Sequence, residues 1–147
     1  MDAHIVSYRI YYENTDAGGV TYHADYLAFA ERARTEFLRT AGHDHATLRY
    51  RHNLIFVVRH LAIDYLTPAR LDDQIDIHST IITFKNARFT MQQKIMCDGV
   101  LLADLTVVIV AVSANEFKAT RIPDSIKEDL HKISSGDLVS ANMAQLN

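Results

Sequence analysis

One helical pattern stands in a chain otherwise written for strands, and that imbalance restricts the folds open to it. Tyr22, Tyr26, Phe29, Ala30, Ala33, Phe37 and Ala41 recur at three- and four-residue spacing, while Asp25, Arg32, Glu36 and Arg39 fall on the other side. Gly42 supplies a stop at the far end. Ahead of this helix "IVSYRIYY" reads as a strand. Behind it "LIFVVRHLAIDYL", "QIDIHSTIITF", "ARFTMQQKIMC" and "VLLADLTVVIVAV" read as four more, rich in β-branched residues and separated by turn signals. Asp98-Gly99 between the last two marks a hairpin. A shorter helix is expected from Pro123 in "PDSIKEDLHKI", because proline suits a first helical turn. A long helix with a wide apolar stripe needs a sheet to lie against. The order strand, helix, four strands therefore predicts an α+β fold, a five-stranded antiparallel sheet curved around one helix. Strands do not alternate with helices and no glycine-rich phosphate loop is present, which argues against a doubly wound nucleotide fold.

Such a core needs one ordinary domain, which 147 residues at 48% hydrophobic and 22% charged content can supply. Residues 1–132 are expected to form it, and residues 133–147, with little periodicity, a flexible C-terminal tail. A net charge of -3 argues against nucleic acid as a partner. The one cysteine, Cys97, allows no internal disulfide or thiolate metal cluster, and its place in a strand suits a packed, inert thiol. The opening "MDAHIVSYRI" lacks the basic segment and apolar run of a secretory signal. Residues 100–112 are too short to span a bilayer and are interrupted by Asp104 and Thr106. These features predict a cytoplasmic protein without membrane insertion.

Chemistry concentrates in "TDAGGVTYH", directly before the long helix. The first N–H groups of a helix lack partners within it and carry the positive end of its dipole. Thr21 is a candidate cap, but Ala24 stands where a capping box needs Glu or Gln, so some donors are expected to be free. Gly18 and Gly19 let the backbone turn tightly and let a ligand approach. Asp16 then places a carboxylate at the entrance. A carboxylate that attacks a carbonyl carbon, or activates water to do so, beside amides that hold the developing oxyanion, is the equipment for acyl transfer. The same residues also suit a plain Asx-turn in a surface loop, and spacing alone leaves both readings open.

Two long runs, "TDAGGVTYHADYLAFAERARTEFL" and "FVVRHLAIDYLTPARLDDQIDI", closely resemble the YbgC-like branch of the 4-hydroxybenzoyl-CoA thioesterase family, and the resemblance extends over residues 8–126. It implies the hotdog fold, with the sheet wrapped around the long helix, and hydrolysis of acyl-CoA thioesters to free acid and CoA without a cofactor or metal. It places the catalytic carboxylate, as nucleophile or general base, at Asp16, and the carbonyl-polarising amide at His23, whose ring is expected to orient substrate or water. Tyr12, Gly18, Gly19, Val20 and Tyr22 are expected to line the bound substrate. For the CoA phosphates the candidates are Arg59, Lys85 and Arg88, with Lys118 and Arg121 in "FKATRIP".

The resemblance further implies a homodimer or homotetramer that pairs through its sheets, with residues of "IFVVRH" facing the partner's site. It also suggests an acyl carrier protein as a partner and a link to the Tol–Pal cell-envelope system or phospholipid metabolism. A hydratase or dehydratase of the same fold is the enzymatic alternative, which the Asp-Gly-Gly loop disfavours. A non-catalytic acyl-thioester-binding role is the other. His43, His45 and His52 in "GHDHATLRYRH" lack the spacing of a metal site and read as loop residues.

Overall fold

The apolar stripe becomes helix α1, Asp25–Thr40, in a computed structural model that describes residues 3–134. Its buried face is Tyr26, Phe29, Ala30, Ala33, Phe37 and Leu38. Ala30 and Ala33, at 0% exposure, carry so little bulk that the helix axis can approach the sheet closely. The helix ends as Gly42 requires. With Gly42 at φ +85, its N–H donates to the Arg39 carbonyl at 2.9 Å and that of His43 to the Leu38 carbonyl at 2.8 Å, the paired bonds of a Schellman stop.

Five strands, β1 (His4–Arg9), β2 (Leu54–Tyr65), β3 (Gln74–Phe84), β4 (Arg88–Cys97) and β5 (Val100–Ser113), form one antiparallel sheet in the order β1-β3-β4-β5-β2. Inward alternation on β4 (Phe89, Met91, Gln93, Ile95) and β5 (Leu105, Val107, Ile109, Ala111) supplies the buried face of the sheet, and its apolar members share one core cluster with the α1 stripe. Register shifts after Val58 in β2, after Ile81 in β3 and after Ile95 in β4 add the local twist that bends the sheet around the helix. The β4–β5 turn has Asp98 at φ 49 and Gly99 at φ 79, the pair of positive values a two-residue hairpin needs.

Two sequence expectations change. Residues 45–52 are not loop but helix α2, His45–His52, whose start is capped by Asp44 accepting from the Thr47 N–H at 2.7 Å. Only Leu48 of this helix is buried, so its sequence shows no apolar stripe. Thr21 does not cap α1. Its N–H goes to the Ala69 carbonyl at 2.8 Å, its hydroxyl is buried, and no side chain among the described residues caps α1. The last helix, α3 (Asp124–Ser134), begins after Pro123 as expected and buries Ile126, Leu130 and Ile133. It therefore runs past residue 132, the expected domain boundary, and the remainder of the expected tail lies outside the described residues.

Candidate active site

The two glycines sit in a hairpin between Thr15 and Thr21, which form a bridge pair. The Asp16 N–H donates to the Val20 carbonyl at 2.9 Å and the Gly19 N–H returns to the Asp16 carbonyl at 3.0 Å. They serve different needs. Gly19 has φ +77, a conformation that costs other residues about 1–2 kcal/mol. A Cβ on Gly18 would stand 3.2 Å from Asp16 Oδ1, crowding the carboxylate. That oxygen accepts the Gly18 N–H at 2.8 Å, so the Asx-turn is real and it fixes the acid. The hairpin is pinned in turn by the Val20–Arg70 bridge pair. Asp16 itself is exposed.

Past the Thr15–Thr21 pair the chain enters α1 through a turn whose peptides are held from behind. The Tyr22 carbonyl accepts the Asp25 N–H at 2.9 Å, and the His23 carbonyl accepts the Tyr65 hydroxyl at 2.8 Å. A trans peptide points its N–H opposite to its carbonyl. These two bonds therefore aim the N–H groups of His23 and Ala24 away from the helix, and among the described residues neither has a hydrogen-bond acceptor. Asn14 fastens the corner. Its carbonyl accepts the Tyr22 N–H at 2.7 Å and its amide donates to Asp25 Oδ2 at 3.0 Å. Tyr65 stacks edge-on against His23 at 6.3 Å and Tyr26 at 5.5 Å, and burial pushes its phenol up, so it stays a donor. The His23 ring lies 4.6 Å from that of Tyr22. Tyr12 and Tyr22 are 82% and 45% exposed, available to a ligand rather than spent in the core.

Of the five expected cations, the fold gathers three. Arg59 on the β2 irregularity, Lys85 after β3 and Arg88 at the start of β4 line one surface depression of ≈ 430 Å³ with His60, Thr83 and Thr90. Lys118 and Arg121 do not join them and meet Glu116 at 3.6 Å and Asp124 at 2.8 Å instead. The histidines of the post-helix segment have structural partners: His43 bonds Asp129 on α3 at 2.8 Å and His45 bonds Thr35 at 3.2 Å. Burial, with the carboxylates of Asp73, Asp98 and Asp76 adding to it, pushes the Cys97 thiol up and away from the reactive thiolate. No helix among the described residues is long and apolar enough to cross a membrane.

Comparison with known proteins matches residues 11–130 to the model of the thioesterase-like superfamily. The chain belongs to that superfamily. It is 42% identical over 125 residues to the acyl-CoA thioesterase YbgC of Haemophilus influenzae, covering 85% of this chain and 92% of that protein. The acyl-CoA thioester hydrolase YbgC of Escherichia coli is 41% identical over 121 residues, 80% of this chain and 88% of its own. The crystal structure of a probable thioesterase from Bartonella henselae superposes with a TM-score of 0.79 at 38% identity, covering 82% of this chain and 99% of that one. Within the superfamily the chain falls in the YbgC branch, and its sheet and central helix are the hotdog fold.

Asn14 and Tyr65, which orient the open corner, were not expected from sequence. Tyr65 lies 42 residues from the carbonyl it holds, and no local pattern connects them. Gln93 was legible in principle. It is a fully buried amide at an inward position of β4 where alternation calls for an apolar side chain.

Proposed function

We propose that this protein hydrolyses acyl-CoA thioesters to free carboxylic acid and CoA at the Asp16–His23 corner. The observation that carries the reading is a carboxylate fixed on a glycine hairpin immediately before two amides aimed outward without acceptors among the described residues. A thioester carbonyl oxygen accepting from the His23 N–H gains charge as its carbon is attacked, and the amide dipole stabilises that charge. Asp16 acts either by direct attack, which expels CoA as thiolate and leaves a mixed anhydride for water to cleave, or by taking a proton from the attacking water. Both routes consume one water and give one acid and one thiol. The His23 ring orients substrate or water, while Tyr12, Gly18, Gly19, Val20 and Tyr22 line the acyl-pantetheine arm. Arg59, Lys85 and Arg88 face the CoA phosphates, with Lys118 and Arg121 as further cations near the mouth. No cofactor enters this chemistry.

The working unit in this reading is a homodimer or a homotetramer built from it. β2 is an edge strand of 12 residues and it exposes Val58 and Tyr65, so a second copy can extend the sheet there. Two-fold pairing of identical strands is antiparallel. It brings the Tyr65 end of one copy to the Leu54 end of the other and encloses substrate between them.

The test is thiol release from a panel of short, long, hydroxylated and aromatic acyl-CoAs. Asp16→Asn retains the oxygen that accepts from Gly18, so the hairpin is expected to survive while kcat/KM falls by about 10²–10⁴-fold. Release of CoA from none of the panel by the wild type, with CoA ligands still bound, would replace hydrolysis by a binding role.

A further inference from the structure

Between α1 and the sheet lies a cavity of ≈ 90 Å³ whose walls are mostly apolar, including Phe37, Leu38, Phe56, Phe89, Met91 and Ile109. A single water-sized sphere needs roughly 10–15 Å³, and a cavity of about 150 Å³ takes up benzene. The space therefore suits a short organic tail. Two opposite charges, Glu31 and Arg34, stand at its polar side with Thr35 and His45, and of the two it is Arg34 that is drawn inward. Arg34, partly buried, is fixed by one hydrogen bond from Nη1 to Gln93 Oε1 at 3.0 Å. The Gln93 amide cannot turn away, because its nitrogen donates to the Ala30 carbonyl at 2.9 Å and to Ser79 Oγ at 3.0 Å, all inside the core.

A guanidinium has five N–H donors and no acceptor. Among the described residues Arg34 makes no ion pair and no further hydrogen bond, and Glu31, the carboxylate that opposes its desolvation, is itself exposed. None of its remaining nitrogens is fully buried without a partner, so these donors reach solvent, and a chain that displaces that water without replacing its hydrogen bonds incurs a cost. The cavity opens beside Phe56, Val57 and Val58, the Leu54 half of the β2 edge. Under the β2 pairing proposed above, the partner's Tyr65 corner and its open amides reach that half. Within one chain, by contrast, Asp25 and Arg34 are separated by about 14 Å of helix.

We propose that Arg34 is a specificity residue. It receives a hydrogen-bond acceptor, a ketone oxygen or a carboxylate, at the far end of a short acyl group whose thioester is held by the other copy's Asp16–His23 corner. The inference rests on the thioesterase reading and names its substrate class: acyl-CoAs that are apolar along the chain and polar at the tip. Plain alkyl chains of the same length would fill the cavity, displace water from the guanidinium and leave the donors not bonded to Gln93 without an acceptor. A site built around a buried polar group rejects the analogue that lacks its partner more strongly than a greasy pocket rejects a missing methylene.

Three five-carbon substrates isolate the point: valeryl-CoA, levulinyl-CoA with a ketone near its end, and glutaryl-CoA with a terminal carboxylate. With enzyme-free rates subtracted, wild type is expected to show kcat/KM at least about tenfold higher for one or both acceptor-bearing chains than for valeryl-CoA. A gain for both assigns recognition of any acceptor, and a gain for glutaryl-CoA alone assigns recognition of charge. In Arg34→Gln the ratio should collapse towards one, and Arg34→Lys, which keeps the cation without the fork, should retain part of the glutaryl preference. The wild-type comparison needs no variant to fold. Efficient release from valeryl-CoA with no gain for the other two would overturn this inference alone. Inertness towards all acyl-CoAs would overturn the thioesterase reading and the inference with it.

Discussion

Two helices of this chain begin in opposite ways. At the start of α2 the Asp44 side chain takes the Thr47 N–H, and the end is finished by local chemistry. At the start of α1 no side chain caps the helix, and bonds made by Asp25 and Tyr65 to the carbonyls of Tyr22 and His23 aim two amides outward instead. Leaving backbone donors unpaired forgoes stabilisation that one Ser or Asp would supply. A helix end that is both uncapped and braced from behind by a residue on β2 is what the proposed oxyanion site requires.

The sharpest way to break this comparison is to remove one amide without moving the chain. His23 occupies the second position of the turn closed by the Asp25 N–H and the Tyr22 carbonyl, where proline is favoured. His23→Pro deletes both ring and N–H, whereas His23→Ala deletes the ring alone. If the open amide holds the oxyanion, the proline variant should fall about 10²–10³-fold below the alanine variant in kcat, measured by thiol release. Equal rates would mean that the ring does whatever His23 contributes.

Next in size is the hairpin that presents the carboxylate. Gly19→Ala forces a side chain into φ +77 with open space around it, so its cost is conformational and not steric. A loss of about 1–2 kcal/mol is expected, seen as a lower urea midpoint at unchanged slope. A changed slope would mean that the substitution alters the surface exposed on unfolding and not the backbone strain alone.

Much of the scaffold was legible because periodicity records burial. The stripe on α1, the alternation on β5 and the Asp98-Gly99 turn each follow from a local rule, and each appears where that rule puts it. The failures share a cause. Thr21 has the chemistry of a cap, but a backbone bond to Ala69 and the pairing with Thr15 commit it elsewhere. α2 buries only Leu48 and exposes 82% of Tyr50, so no periodic signal announces it, though Asp44 before it is an ordinary capping residue. The meeting of Arg59 with Lys85 and Arg88 depends on strand order and on a β2 register shift that no sequence window contains.

The smallest expected effect lies at the finished helix end, and its pH dependence identifies its origin. Hydrogen bonds from Thr47, side chain first and then backbone, hold the Asp44 carboxyl below its ordinary range, with the charges of Arg39 and His45 adding to them. A carboxyl whose folded pKa is depressed contributes stability that is complete above its unfolded value, near about 3.9, and is lost as pH falls through the lower folded value. Asp44→Ala should therefore lower Tm by about 2–4 °C at neutral pH, with thiol release at 25 °C within about twofold of wild type. The Tm difference should shrink as the solution is acidified below the unfolded pKa. A difference that stayed constant down to the acid limit would assign the loss to helix propensity and not to the capping charge. A large loss of turnover would show that the α2 start, which the proposed site does not include, takes part in substrate handling.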